Sequence, residues 1–290
     1  MNAQPTGNLC MAVPKGRMQT GVTQLLADAG IRLDVASRNY RPIVSAEGME
    51  VKILKPQAII EMLAVGSRDV GFAGADWVAE FEADLVELLD TGLDPVRLVA
   101  AAPERLLLNG ALPRQRLVVA SEYVRLAQRW IDRRGLDATL LRSFGATEVL
   151  PPEDADVIVD NTASGATLTA NDLRIVDELM TSSTRLYASK HAMADADKRE
   201  RIEEMATLVQ SVLTARRRVM VELNVGPENL ERVIEVLPCM REPTVSTLHA
   251  SAGYAVKAAV PREDLPRVIP LIRARGGTDI VVSRIEQIVV

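Results

Sequence analysis

Apolar positions along the chain fall into short blocks separated by polar turns, and the period of the blocks changes toward the C-terminus. Leu9 to Val13 is a compact apolar run, the length of a buried strand, that stops at Pro14-Lys15-Gly16-Arg17. From Thr20 to Ala29, the residues Val22, Leu25, Leu26 and Ala29 recur at i, i+3, i+4 and i+7, which predicts a helix; Gly30 stands where a helix C-terminal glycine belongs. Ile53-Leu54 opens another strand. Pro56 to Val65 is a helix with Ile59, Ile60 and Leu63 on one face, ended by Gly66. Val70 to Ala73 is a strand, and Gly74-Ala75-Asp76 turns into a helix at Trp77. Strand–helix–strand–helix order predicts an α/β domain with a largely parallel sheet.

The rhythm continues through strands at Val96 to Ala101 and Leu117 to Ala120, a helix over Tyr123 to Arg133, and strands at Leu140-Leu141, Val157 to Val159 and Leu186 to Ala188. Lys198 to Arg216 reads as a long amphipathic helix with Ile202, Met205, Val209 and Val212 on one stripe. A different texture begins near Val219. Val219, Val221 and Leu223 alternate with Met220, Glu222 and Asn224, which is strand period two. A helix over Pro227 to Leu237, a strand over Tyr254 to Val260, a helix over Glu263 to Ala274 and a strand over Ile280 to Ile288 complete a β-α-β-(β)-α-β, ferredoxin-like order. The boundary falls at Arg216-Arg217-Arg218, three arginines that suit the negative pole of a helix and read as a solvated helix end. The halves before it share a βα rhythm but no repeated string.

Composition narrows the classes. A chain of 290 residues suggests about two domains, or three small ones. Aromatics are only 3% and the net charge is −5, so neither base stacking nor a general cationic footprint points to nucleic acid. Any phosphate has to be held by a local site. MNAQPTGNLCMAVPKG shows no leader pattern, no window reaches the ~18 apolar residues of a span, and a cytoplasmic protein is expected. Cys10 and Cys239, far apart, read as inert thiols, not a disulfide framework. His191 and His249 have no Cys, Asp or second His at ligand spacing, so no metal role is assigned to them.

The candidate chemistry sits in DNTASGATLTAND, residues 160–172, just after the apolar Val157-Ile158-Val159. A phosphate monoester needs several donors that a close backbone approach can supply, and Ala163-Ser164-Gly165-Ala166-Thr167 is small enough to allow it. Ser164 and Thr167 add hydroxyls, and Asp160 can accept hydrogen bonds from sugar hydroxyls. From spacing alone, a plain strand–turn–helix with a capping threonine stands beside this reading. No Lys follows the glycine as in a Walker loop, and the three-glycine dinucleotide spacing is missing.

ADVIVDNTASGATLTANDL, residues 155–173, resembles the phosphoribosyl-pyrophosphate loop of the ATP phosphoribosyltransferase family, which opens histidine biosynthesis. LCMAVPKGRM (9–18), GSRDVGFAGADWV (66–78), FGATEV (144–149) and SSTRLYAS (182–189) are similar to further family motifs in the same order. EPTVSTL (242–248), GYAVKAAVPREDL and the late Gly-Gly resemble the regulatory domain of the family's long form.

The resemblance implies two α/β lobes around a cleft, like a periplasmic binding protein, followed by an ACT-like, ferredoxin-like α+β domain. The division would be 1–99 with 185–215, then 100–184, then 216–290. It implies that adenine N1 of ATP attacks ribose C1 of phosphoribosyl pyrophosphate, with Mg²⁺ held chiefly by pyrophosphate. Thr162, Ala163, Ser164, Gly165, Ala166, Thr167 and Leu168 would hold the 5′-phosphate, and Asp160 the ribose hydroxyls. Lys15 and Arg17 would face pyrophosphate or triphosphate; Gly16, Lys55, Gly74, Asp76 and Glu148 would lie on the nucleotide side. Asn224, Met240, Glu242, Thr244 and Asp279 would form a histidine effector site, and a homo-oligomer, dimeric or hexameric, is implied.

The chain departs from the family pattern in three places. Lys55 stands where the family often has Arg, and Lys lacks the bidentate fork. Asn224 stands where an acid is frequent and Glu242 where a small residue is, which leaves weaker or altered inhibition open. Two other readings remain at this level: a two-lobed small-molecule receptor without chemistry, and a catalytically weak regulatory paralogue.

Overall fold

The computed structural model describes residues 7–34 and 40–290. The first six residues of the stretch read for a leader lie outside them. The described chain forms two compact units, one made of the residues up to Ala27 with Ile31–Ala206, the other of Asp28–Gly30 with Thr207–Val290.

The first unit is α/β. Its elements are β1 (Leu9–Pro14), α1 (Arg17–Asp28), β2 (Leu33–Asp34), β3 (Ile43–Val44), β4 (Met49–Leu54), α2 (Pro56–Ala64), β5 (Val70–Gly74), α3 (Ala75–Phe81) and β6 (Val86–Pro103). They continue as β7 (Leu117–Ser121), α4 (Val124–Arg134), β8 (Ala138–Arg142), β9 (Val157–Thr162), α5 (Ala166–Ala170), β10 (Leu173–Ala188), α6 (Lys190–Ala194) and the start of α7 (Ala196–Arg216). The apolar periodicity finds its partners as expected. Val22, Leu25 and Leu26 of α1 and Ile59, Ile60 and Leu63 of α2 are buried, as are Ile202, Met205, Val209 and Val212 of α7. One core runs from Ala12 and Ile59 through Trp77 and Tyr123 to Leu117 and Trp130, and a smaller one under Val99, Ile158, Leu168 and Leu173 covers the other face.

Eight strands form one sheet in the order β4-β1-β5-β10-β6-β9-β7-β8. It is mixed, not largely parallel. The outer trios β4-β1-β5 and β9-β7-β8 are parallel. Between them, the β5–β10, β10–β6 and β6–β9 pairings are antiparallel. The cause is a long ribbon: β6 has 18 residues and β10 has 16, where short strands were expected at 96–101 and 186–188. Register shifts at Ile175/Asp177, Glu178/Met180 and Ser182/Thr184 bend this ribbon and let it twist.

The ribbon places the site. β5 starts opposite Ala188 and ends with Gly74 opposite Thr184, which pairs with Leu93. β9 runs the other way, from Ile158 opposite Ala101 to Thr162 opposite Arg97, which pairs with Thr181. The C-terminal ends of both parallel trios therefore converge on the ribbon's middle from opposite sides. That is where an open α/β sheet keeps its binding crevice.

The second unit contains the end of α7, then β11 (Arg218–Val225), α8 (Leu230–Ile234), β12 (Thr244–Thr247), β13 (Tyr254–Pro261), α9 (Leu265–Ala274) and β14 (Gly277–Arg284). Its sheet is antiparallel, in the order β12-β13-β11-β14. Val219, Val221, Leu223 and Val225 face inward and pack with Val233 of α8 and Val268 and Ile272 of α9. This is the ferredoxin-like arrangement. Two elements differ in their bounds from expectation. The helix expected over 227–237 is a 3₁₀ turn followed by the short α8; Leu237 precedes Pro238, a position that disfavours helical backbone. The last strand ends at Arg284 because its antiparallel partner β11 begins opposite it, with Val219 against Arg284.

Candidate functional site

The loop after β9 is built on two side-chain turns. The Gly165 N–H donates to Thr162 Oγ1 at 2.9 Å and the Ala166 N–H to Ser164 Oγ at 3.3 Å. Gly165 sits at φ +82°, a left-handed conformation that favours glycine, and space is open where a side chain would project. Gly16, after β1, has the same two properties at φ +88°. At the start of α5, the amides of Ala166, Thr167 and Leu168 have no intrahelical acceptor. Ala163, Ser164 and Thr167 are exposed, and the Leu168 side chain is buried beneath them.

Asp160 lies two residues before Thr162. Its Oδ1 accepts the Asn161 N–H at 2.7 Å. Burial pushes its pKa up to about 6; the Asn161 N–H opposes this, the negative charges of Glu148 and Glu122 add to the rise, and a Thr147 hydrogen bond opposes it. Thr147 is itself held by Ser143 at 2.8 Å. Glu148, expected near the nucleotide, thus lies close enough to Asp160 to act on its charge.

The opposite half supplies the cations. The Lys15 N–H donates to Leu54 O at 2.7 Å, tying the end of β1 to the end of β4. Its Nζ donates to Tyr40 Oη at 2.9 Å and lies 4.9 Å from that ring's centre. Arg17 opens α1 and is exposed. Lys55 precedes α2 and lines a cleft of about 660 Å³ with Trp77, Glu122, Arg125, Arg142 and Phe144. Among the described residues, no group of three or more His, Cys, Asp or Glu side chains is placed to hold a metal ion.

Gly74 and Asp76 are buried at the end of β5 and the start of α3. Asp76 is only 4% exposed. Its Oδ2 accepts the Tyr123 hydroxyl at 2.6 Å and its Oδ1 the Ser182 hydroxyl at 2.8 Å. A Cβ on Gly74 would lie 2.2 Å from Asp76 Oδ1, so the glycine leaves room for the carboxylate. Tyr123, Asn161, Ser182 and Thr147 were not singled out from the sequence. Asn161 stands inside the loop motif, but Tyr123 looked like an ordinary helix-opening aromatic, and only the folded ribbon brings Ser182 to it.

In the second unit, Met240, Glu242 and Thr244 line a cavity of about 370 Å³ with Cys239 and Lys257. Asn224 and Asp279 do not line it; they bond to each other at 3.1 Å on neighbouring strands.

An α/β crevice with a small-residue loop and a buried acid at the end of one parallel trio, and Lys15 and Arg17 at the end of the other, belongs to the class of sites that take anionic ligands. Comparison with known proteins carries this further. The family model described as ATP phosphoribosyltransferase matches residues 55–211, and the HisG C-terminal domain model matches 215–287. The chain is 34% identical over 286 residues to the ATP phosphoribosyltransferase of Chlorobium phaeobacteroides, covering 97% of each. It is 35% identical over 277 residues to that of Chlorobaculum parvum, covering 94% of each. A solved ATP phosphoribosyl transferase (HisG:HisZ) complex from Thermotoga maritima shares the fold, with a TM-score of 0.61 at 24% identity over 69% of this chain and 98% of that one. The chain belongs to the ATP phosphoribosyltransferase family, the pentosyltransferases of histidine biosynthesis.

Proposed function

We propose that the crevice joins adenine N1 of ATP to ribose C1 of phosphoribosyl pyrophosphate, releasing pyrophosphate and giving phosphoribosyl-ATP. The observation that carries the residue assignment is the convergence of the β9 loop and the Lys15-Gly16-Arg17 turn on one crevice from opposite halves. The amides and hydroxyls of Thr162 to Leu168 hold the 5′-phosphate, and ionised Asp160 accepts from the ribose hydroxyls. Lys15 and Arg17 take the charge that grows on pyrophosphate as the C1–O bond lengthens. Lys55 and Glu148 stand on the nucleotide side. The attacking nitrogen carries no proton, so alignment and charge stabilisation do the catalysis and no general base is required.

Mg²⁺, held chiefly by pyrophosphate, would supply charge neutralisation there; Asp160, whose charge feels Glu148 and Glu122, is the acid of this chain on that side of the crevice. The lobe division at 99/100 and 184/185 and the boundary at 215/216 belong to the same reading. So do histidine binding by the second unit around Met240, Glu242 and Thr244, homo-oligomer formation and a cytoplasmic location. Among the described residues, no helix is long and apolar enough to cross a membrane.

Gly165→Val tests the assignment. It puts a β-branched side chain at φ +82° and into the cradle. The expected result is loss of phosphoribosyl pyrophosphate binding and turnover with ATP binding retained. Unchanged saturation by phosphoribosyl pyrophosphate would overturn the assignment of the loop.

A further inference from the structure

At the floor of the crevice, four side chains that the proposed reaction does not use form one hydrogen-bond chain. Asn161 Nδ2 donates to Tyr123 Oη at 2.8 Å, and Tyr123 donates its only hydroxyl proton to Asp76 Oδ2 at 2.6 Å. Ser182 Oγ donates to Asp76 Oδ1 at 2.8 Å and accepts the Asp76 N–H at 3.0 Å. The direction of each bond is fixed, because a carboxylate only accepts and an amide nitrogen only donates. No ion pair among the described residues involves Asp76, so its buried charge is held by these hydroxyls and its own backbone.

These hydrogen bonds cross the first unit between its two parallel trios. Asp76 belongs to the half that carries β1 and β5, Tyr123 and Asn161 to the half that carries β9, and Ser182 to the ribbon between them. Trp77 stacks on Tyr123 at 4.4 Å between ring centres and keeps the phenol in place. Asn161 in turn holds Asp160 by its backbone N–H. The half-buried Asn161 amide, left without its acceptor, would turn, and the peptide that carries Asp160 and Thr162 would turn with it.

We propose that Tyr123 is a positioning residue for pentosyl transfer: through Asn161 it fixes the Asp160–Thr162 segment against the Asp76 anchor of the opposite half. This rests on the assignment of Asp160 and the loop to phosphoribosyl pyrophosphate. A displacement of about 1 Å in such a segment costs on the order of 100-fold in rate.

Steady-state kinetics of Tyr123→Phe, Asn161→Ala, the double variant and Asp160→Asn test it on the full chain. The Phe ring keeps the stack on Trp77, so folding is expected to survive. Tyr123→Phe should lower kcat/KM for phosphoribosyl pyrophosphate about 10- to 100-fold while KM for ATP stays within about twofold. The double variant should be no worse than Asn161→Ala alone, because both act through one link. If Tyr123→Phe lowers melting temperature but leaves kcat and both KM values unchanged, or if the two losses multiply, the positioning role is overturned. Asp160→Asn separates the two levels. If it leaves the kinetics for phosphoribosyl pyrophosphate intact, the site assignment fails; if it is crippled while Tyr123→Phe is not, only this inference fails.

Discussion

The residue with the most informative charge is Asp160. Its folded pKa stands near 6 against an ordinary 3.8, so the folded state binds the proton more tightly than the unfolded chain does. The stability associated with the protonated form is complete below about 3.8 and is lost as pH rises through about 6. Asp160→Asn keeps the shape without the charge. Its melting temperature should exceed the parent's by little at pH 4 and by more at pH 7, as measured by calorimetry. On the proposed assignment catalysis has the opposite preference, because only the carboxylate would accept from two ribose hydroxyls. In the parent, kcat/KM for phosphoribosyl pyrophosphate should fall as pH drops below about 6, and the Asn variant should lack that break. Lys15 makes a second prediction at this scale. Tyr40 holds its ammonium by a hydrogen bond and by the ring face. Lys15→Met removes the charge and should cut kcat about 100-fold with little effect on melting temperature, since the side chain is exposed.

At the scale of elements, α3 and α4 hold the two halves together. Glu80 of α3 is 6% exposed, and its carboxylate accepts the first N–H groups of α4, Arg125 at 2.9 Å and Leu126 at 3.0 Å. Arg125 returns the contact to the carbonyls of Glu80 and Phe81. Glu80→Ala leaves those amides without their cap and should cost about 1–3 kcal/mol, read from denaturant unfolding. The short elements on either side of this latch were legible in the sequence because each buries a stripe: α2 with Ile59 and Ile60, β9 with Val157 to Val159. The ribbon was not. VELLDTGLDPVRLVAAAP contains Gly, Pro and three acids, and its inward positions shift at each bulge, so no single period runs along it. The Asp76–Tyr123–Asn161 chain was hidden for the same reason: it exists only once the ribbon has brought both halves together. The turn after β9 needed no such context, since its conformation is local to Thr162, Ser164 and Gly165.

For the whole molecule, the −5 net charge makes the local cations decisive. On the proposed assignment, a chain that repels polyphosphates at long range takes them up through the few positive groups at the crevice, so affinity for phosphoribosyl pyrophosphate should change little when surface arginines outside it are removed. The second unit adds a ferredoxin-like sheet whose open face carries Met220, Glu222 and Asn224. The Asn224–Asp279 hydrogen bond stands apart from the Glu242 cavity, which separates the two groups of residues expected to share an effector.

The central claim is that this crevice makes phosphoribosyl-ATP, and the direct measurement is product mass. The full chain is mixed with ATP, phosphoribosyl pyrophosphate and Mg²⁺, with pyrophosphatase to draw the reaction forward, and the mixture is read by mass spectrometry. The account predicts an ion of phosphoribosyl-ATP that grows with time and enzyme and disappears with Gly165→Val. Bound phosphoribosyl pyrophosphate with no such ion would contradict it and leave the two lobes as a receptor.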